Sequence, residues 1–116
     1  MTEILRMESN PRLSRILKYG DLIFLSGITS GGEGADIRAQ TGLVLARLDA
    51  FLAEAGTDKS RLLSVQIWLR DIERDLAGMN KVWDAWVPVG APARATCEAR
   101  LGGPAVLIEI VATAAV

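Results

Sequence analysis

Pro92-Ala93-Arg94-Ala95-Thr96-Cys97-Glu98-Ala99-Arg100-Leu101, followed after Gly102-Gly103-Pro104 by Ala105-Val106-Leu107-Ile108-Glu109-Ile110-Val111, reads as the two closing strands of a sheet. Along Ala93 to Leu101 the alternation puts Arg94, Thr96, Glu98 and Arg100 on one face and Ala95, Cys97, Ala99 and Leu101 on the other. The second strand, Val106 to Ala114, holds Glu109 inside an apolar run, where an unpartnered carboxylate is costly. A two-residue turn at Gly102-Gly103, which Gly-Gly favours because both positions need positive φ, would set Thr96 opposite Glu109 and Arg94 opposite Val111. Arg94 and Glu109 are then expected to be diagonal neighbours on one face. A three-residue turn would swap the faces. Such a pair is commonly a salt bridge worth under about 1 kcal/mol, or a charge that guards an edge strand. A functional role requires a cleft around it.

Outward from this pair, the pattern predicts strands at Glu3 to Met7, Ser14 to Tyr19 and Leu22 to Ser26, then a glycine-rich loop from Gly27 to Gly34. From Asp36, a candidate N-cap, the residues Ile37, Thr41, Val44, Leu45, Leu48, Phe51, Leu52 and Ala55 recur at helical spacing up to a stop at Gly56. Leu62 to Leu69 is a predicted strand with Leu63, Val65, Ile67 and Leu69 on one face and Ser64, Gln66 and Trp68 on the other. A second helix is expected from Glu73 to Val87, with its apolar stripe at Leu76, Met79, Val82, Trp83 and Trp86 and its end before Pro88. The order βββαβαββ gives one α+β domain over residues 1–116, a mixed sheet with two helices on one face. Leu22, Phe24 and Trp68 then need another cover, and a homo-oligomer supplies it.

Composition narrows the chemistry. The chain has no histidine, which removes Ser-His-Asp and Cys-His catalysis, imidazole bases and most zinc enzymes. The lone Cys97 excludes an internal disulfide and a Cys-x-x-Cys metal or redox site, so a reducing cytoplasm is expected. Met1 to Pro11 lacks the apolar core of a signal peptide, and no membrane-length apolar run follows. A net charge of −1, with only three cations between Arg12 and Lys18 and no aromatic interleaving, argues against nucleic acid as partner. By alternation Cys97 points away from Arg94 and reads as a small buried hydrophobe rather than a nucleophile. Trp83 and Trp86 read as core and Trp68 as interface filling. Gly31-Gly32-Glu33-Gly34 lacks the setting of a phosphate loop and reads as a mobile rim.

Pro92-Ala93-Arg94, with Glu109 of Ile108-Glu109-Ile110 following fifteen residues after the arginine, resembles the Rid (YjgF-type) family. Leu25-Ser26-Gly27 at a strand end, and Asp71, Met79-Asn80 and Trp83 around the second helix, extend the likeness from about Leu13 to Ala114. The resemblance implies a chorismate-mutase-like fold, a homotrimer with ligand sites in clefts between subunits, and hydrolysis of reactive imines and enamines such as 2-aminoacrylate to 2-keto acids and ammonia. It implies no metal and no organic cofactor. Arg94 would grip the substrate carboxylate and Glu109 would handle water and proton, with Ser26, Gly27 and Thr96 lining the cleft. Two positions depart from the archetype, with Leu13 in place of a tyrosine and Thr96 in place of a cysteine, and they point to a divergent subgroup with its own imine or keto-acid ligand. Two other readings remain: a non-catalytic homotrimer that binds small carboxylates or shields partner proteins, and chorismate-mutase-like chemistry, for which Arg100 or Arg15 from a neighbour would have to join Arg94.

Overall fold

A computed structural model describes residues 2–116. Its elements are β1 (Ile4–Ser9), β2 (Ser14–Tyr19), β3 (Leu22–Leu25), α1 (Ile37–Glu54), a short 3-10 turn (Lys59–Arg61), β4 (Leu62–Leu69), α2 (Ile72–Trp86), β5 (Ala93–Glu98) and β6 (Ile108–Ala115). The fold class is the expected α+β, with both helices on one face of a six-stranded mixed sheet.

Strand order differs from the hairpin expectation. The sheet runs β1-β2-β3-β6-β4-β5, so β6 lies between β3 and β4, and β5 is an edge strand parallel to β4. The reason is the crossover: β4, α2 and β5 form a strand-helix-strand unit, whose helix returns the chain beside β4 in the same direction. Gly102-Gly103 therefore does not join neighbouring strands. Arg70 holds that connection instead, with Nε donating to Val106 O at 2.8 Å and Nη2 to the carbonyls of Leu101, at 3.3 Å, and Gly103.

The helices start and stop where side chains satisfy their ends. Asp36 accepts from Ala39 N and Asp71 from Arg74 N, while Gly56 adopts φ 86° just past α1. Glu98 adds a second acceptor at the start of α2, taking the Ile72 N–H at 3.1 Å. The α1 stripe packs as predicted and includes Gln40, buried as a clamp that bonds Gly34 O, Ala105 O and Leu107 N. Two stripe assignments fail. A register shift between Leu62 and Ser64 buries Leu62 and leaves Leu63 exposed, and Leu76 of α2 is exposed while Asp75 is buried against Arg74.

Among the described residues, none covers the other sheet face. Tyr19, Leu22 and Phe24 stand exposed there, on the side opposite the buried Ile16, Ile23 and Leu25. Cys97 lies on this face too and is exposed, not buried as expected, because β5 is an edge strand; Gln66 Nε2 contacts its sulfur at 3.4 Å.

At one end of the β1-β2 hairpin Glu8 has φ 51° and meets Glu54 of α1, and their contact raises the Glu54 carboxyl above the usual value. A carboxyl raised in the folded state stabilises at low pH and loses that contribution as pH climbs through its folded value. Glu8→Gln should therefore gain in melting temperature over wild type at neutral pH, and the gain should shrink in acid below the ordinary glutamate range. A gain that grows on acidification would reverse the sign.

Candidate functional site

Parity along β4 decides how the predicted site residues are grouped. Arg94 pairs with Val65 and Thr96 with Ile67, two buried residues on the helix side, whereas Glu109 pairs with Trp68 on the uncovered side. No register shift intervenes between Val65 and Trp68. Arg94 and Glu109 therefore lie on opposite faces of one sheet, and the expected diagonal pairing within a chain does not occur.

On the helix side, the Arg94 guanidinium sits over the Trp83 ring at 5.3 Å. That stacking holds a planar fork at the sheet edge without a carboxylate to neutralise it, since Arg74 with Asp75 forms the one side-chain ion pair among the described residues. Thr96 Oγ1 is buried on the same side and has no hydrogen-bond partner. Asn80, one turn before Trp83 on α2, has a buried and unpartnered Oδ1 as well. The sequence reading passed over Asn80 as a site residue. Its signals were a polar side chain beside the apolar stripe and its place in the Met79-Asn80 pair of the family likeness.

On the uncovered side, Gly27 stands beside Glu109. Between Phe24↔Thr113 and the Ile28↔Ile110 bridge the first strand has one residue more than its partner, and this bulge turns Gly27 toward the carboxylate. A Cβ on Gly27 would fall 2.0 Å from Glu109 Oε2, so only glycine admits the carboxylate there. The Ser26 hydroxyl donates to Ser14 O at 2.6 Å and so serves the backbone. Glu109 also borders a hollow of about 220 Å³ with Trp68, Ala99, Arg100 and Leu101.

A family model described as endoribonuclease L-PSP matches residues 4–116. The chain belongs to the YjgF/RutC family. Among its relatives, a RutC family protein of Haemophilus ducreyi is 40% identical, covering 97% of both chains, and the RutC family protein YoaB of Escherichia coli is 39% identical, covering 97% of this chain and 98% of its own. The crystal structure of NMB1025, a YjgF protein family member from Neisseria meningitidis, superposes with TM-score 0.93 at 46% identity, covering 97% of this chain and 94% of that one. Rv2704 of Mycobacterium tuberculosis, in the YjgF/YER057c/UK114 family, matches at TM-score 0.86 and 29% identity over the whole of both chains.

In this YjgF/RutC chain the 101–107 connection sets where Glu109 enters the sheet, and Arg70 organises it. Arg70→Ala removes charge-assisted bonds to three carbonyls and should cost about 2 kcal/mol, visible in denaturant unfolding. An unchanged midpoint would mean that the loop holds itself.

Proposed function

We propose that the protein hydrolyses reactive 2-imino and 2-enamino acids to 2-keto acids and ammonia, at a site that two copies complete in a homotrimer. The carrying observation is the Glu109 carboxylate, without a cation partner and seated where Gly27 lacks a side chain. Arg94, with its free fork at the edge strand β5, supports the reading as the complementary half. The uncovered apolar face with Tyr19, Leu22 and Phe24 supports assembly, since an exposed apolar patch of this kind marks an interface.

The chemistry asks for little. Arg94 of one copy holds the substrate carboxylate by two parallel hydrogen bonds. Glu109 of the next copy takes a proton from water as its oxygen bonds to the imine carbon, then gives that proton to nitrogen. In the carbinolamine so formed, Glu109 takes the remaining hydroxyl proton and passes it to nitrogen as the C–N bond breaks, so ammonia leaves and the keto group remains. Imines hydrolyse readily, so holding substrate and water together suffices, and neither metal nor cofactor enters the reading. It goes with a cytoplasmic setting, and among the described residues no helix is long and apolar enough to cross a membrane.

The second reading is a non-catalytic homotrimer that binds small carboxylates, favoured by a Ser26 hydroxyl already committed to Ser14 O. Ammonia release from imines made by an amino-acid oxidase separates the two. Wild type should accelerate release, and Glu109→Ala, folded, should lose about 10²-fold. Binding of keto acids with no turnover on any imine would select the second reading. Cleavage of RNA, the activity in the family description, would replace both.

A further inference from the structure

A hollow of about 490 Å³ opens between the start of β2, the 27–31 segment and α1, with Arg15, Gly27, Ile28, Arg47, Ala50 and Phe51 in its wall. Two features set it apart from an ordinary surface dip. It carries two guanidinium groups and no carboxylate in its wall. Its lining includes Gly27, the residue that stands against the Glu109 carboxylate.

Neither arginine is neutralised. Arg47 spends one N–H on Thr29 O at 2.7 Å, which fixes its direction and leaves the rest of its fork unused. Arg15 makes no side-chain ion pair among the described residues, and Glu8, across from it in the hairpin register, meets Glu54 instead. Between the two cations Ile28, Ala50 and Phe51 supply apolar wall, the combination that accepts a short methylene chain ending in an anion. A second hollow on the other side of Ser26 also holds two arginines, Arg6 and Arg12, but it is shallower and does not touch Gly27.

We infer that Arg15 and Arg47 receive a second acidic group on the substrate, so that the preferred imines are those of amino acids with an acidic side chain. This rests on the imine reading above, because it places the substrate's reacting carbon at Glu109 and its tail in this hollow. The planar fork of arginine suits a carboxylate terminus, and two such forks at one hollow suit a dianion over a monoanion.

The test compares two five-carbon keto acids that differ only at the far end, 2-oxoglutarate and 2-oxopentanoate, by calorimetric titration. Wild type should bind 2-oxoglutarate about tenfold tighter, the size of one charge-assisted contact. In Arg15→Gln/Arg47→Gln protein the ratio of the two affinities should fall to about one, and Arg15→Lys/Arg47→Lys should keep part of it. Thermal unfolding of each variant checks that the fold is intact. Equal affinities in wild type, or a ratio that survives the double glutamine variant, overturn the acidic-tail inference and leave the imine reading in place. Arg94→Ala should weaken both ligands together; if it weakens neither, the imine reading itself fails.

Discussion

Arg94→Ala protein mixed with Glu109→Ala protein, dissociated and reassembled together, should recover about a quarter of wild-type imine hydrolysis, although each variant alone is nearly inactive. The expectation follows from the sheet. Arg94 shares a face with Val65 and Glu109 shares the opposite one with Trp68, so one copy does not bring the two groups together on one face. In a closed ring each site takes Arg94 from one chain and Glu109 from the next. With two variants combined at random in equal amounts, half of the chains offer an intact arginine and half an intact glutamate. About one site in four is then whole. Each variant alone should fall at least about 10²-fold, through lost substrate orientation in one case and lost proton transfer in the other. Recovery absent from the mixture, with mixed oligomers verified by mass, would place both groups in one copy and break the two-copy model. Analytical ultracentrifugation that finds only monomer would do the same.

Gly27→Ala should leave the fold nearly as stable as wild type and lower kcat/KM by about 10²-fold, the usual cost of moving a reacting group by an ångström. The added Cβ would sit 2.0 Å from Glu109 Oε2 and 3.0 Å from its Cδ. The obstacle is the far end of a flexible side chain, so the glutamate swings aside and the backbone stays. Gly27 is not among the glycines with positive φ, so alanine brings no backbone strain. Stability and activity should therefore separate. Because the loss runs through Glu109, the same substitution made in Glu109→Ala protein should add little. Full activity in Gly27→Ala would show that the carboxylate need not sit where the bulge admits it.

The two helices, the caps of the first and the alternation of most strands were readable in the residues because each is a local property. Asp36 bonds Ala39 three residues on, and Gly56 ends α1 by its own backbone angle. Strand order is not local. Gly102-Gly103 between two strand-like runs carries the signature of a hairpin, yet β4 followed by α2 and β5 carries the stronger rule, that a strand-helix-strand run closes parallel. That rule places β5 beside β4 and leaves the centre of the sheet to β6. The site suffered the same way: its residue types were legible, and their faces were not, since a face depends on the neighbouring strand. The bulge at Ser26-Gly27 and the shift at Leu62 and Ser64 illustrate the point, because each reverses parity without any proline or doubled glycine to announce it. Asn80 and Gln40 were missed because burial of a lone polar side chain is set by what packs over it.

On the two-copy reading, a guanidinium on one side of a sheet and a carboxylate on the other would make turnover a matter of dose. Lone chains would hold only halves, and by mass action the working population would rise more steeply than the amount of protein made. A cell that produces little of it would have almost no capacity, and a modest rise in synthesis would switch that capacity on.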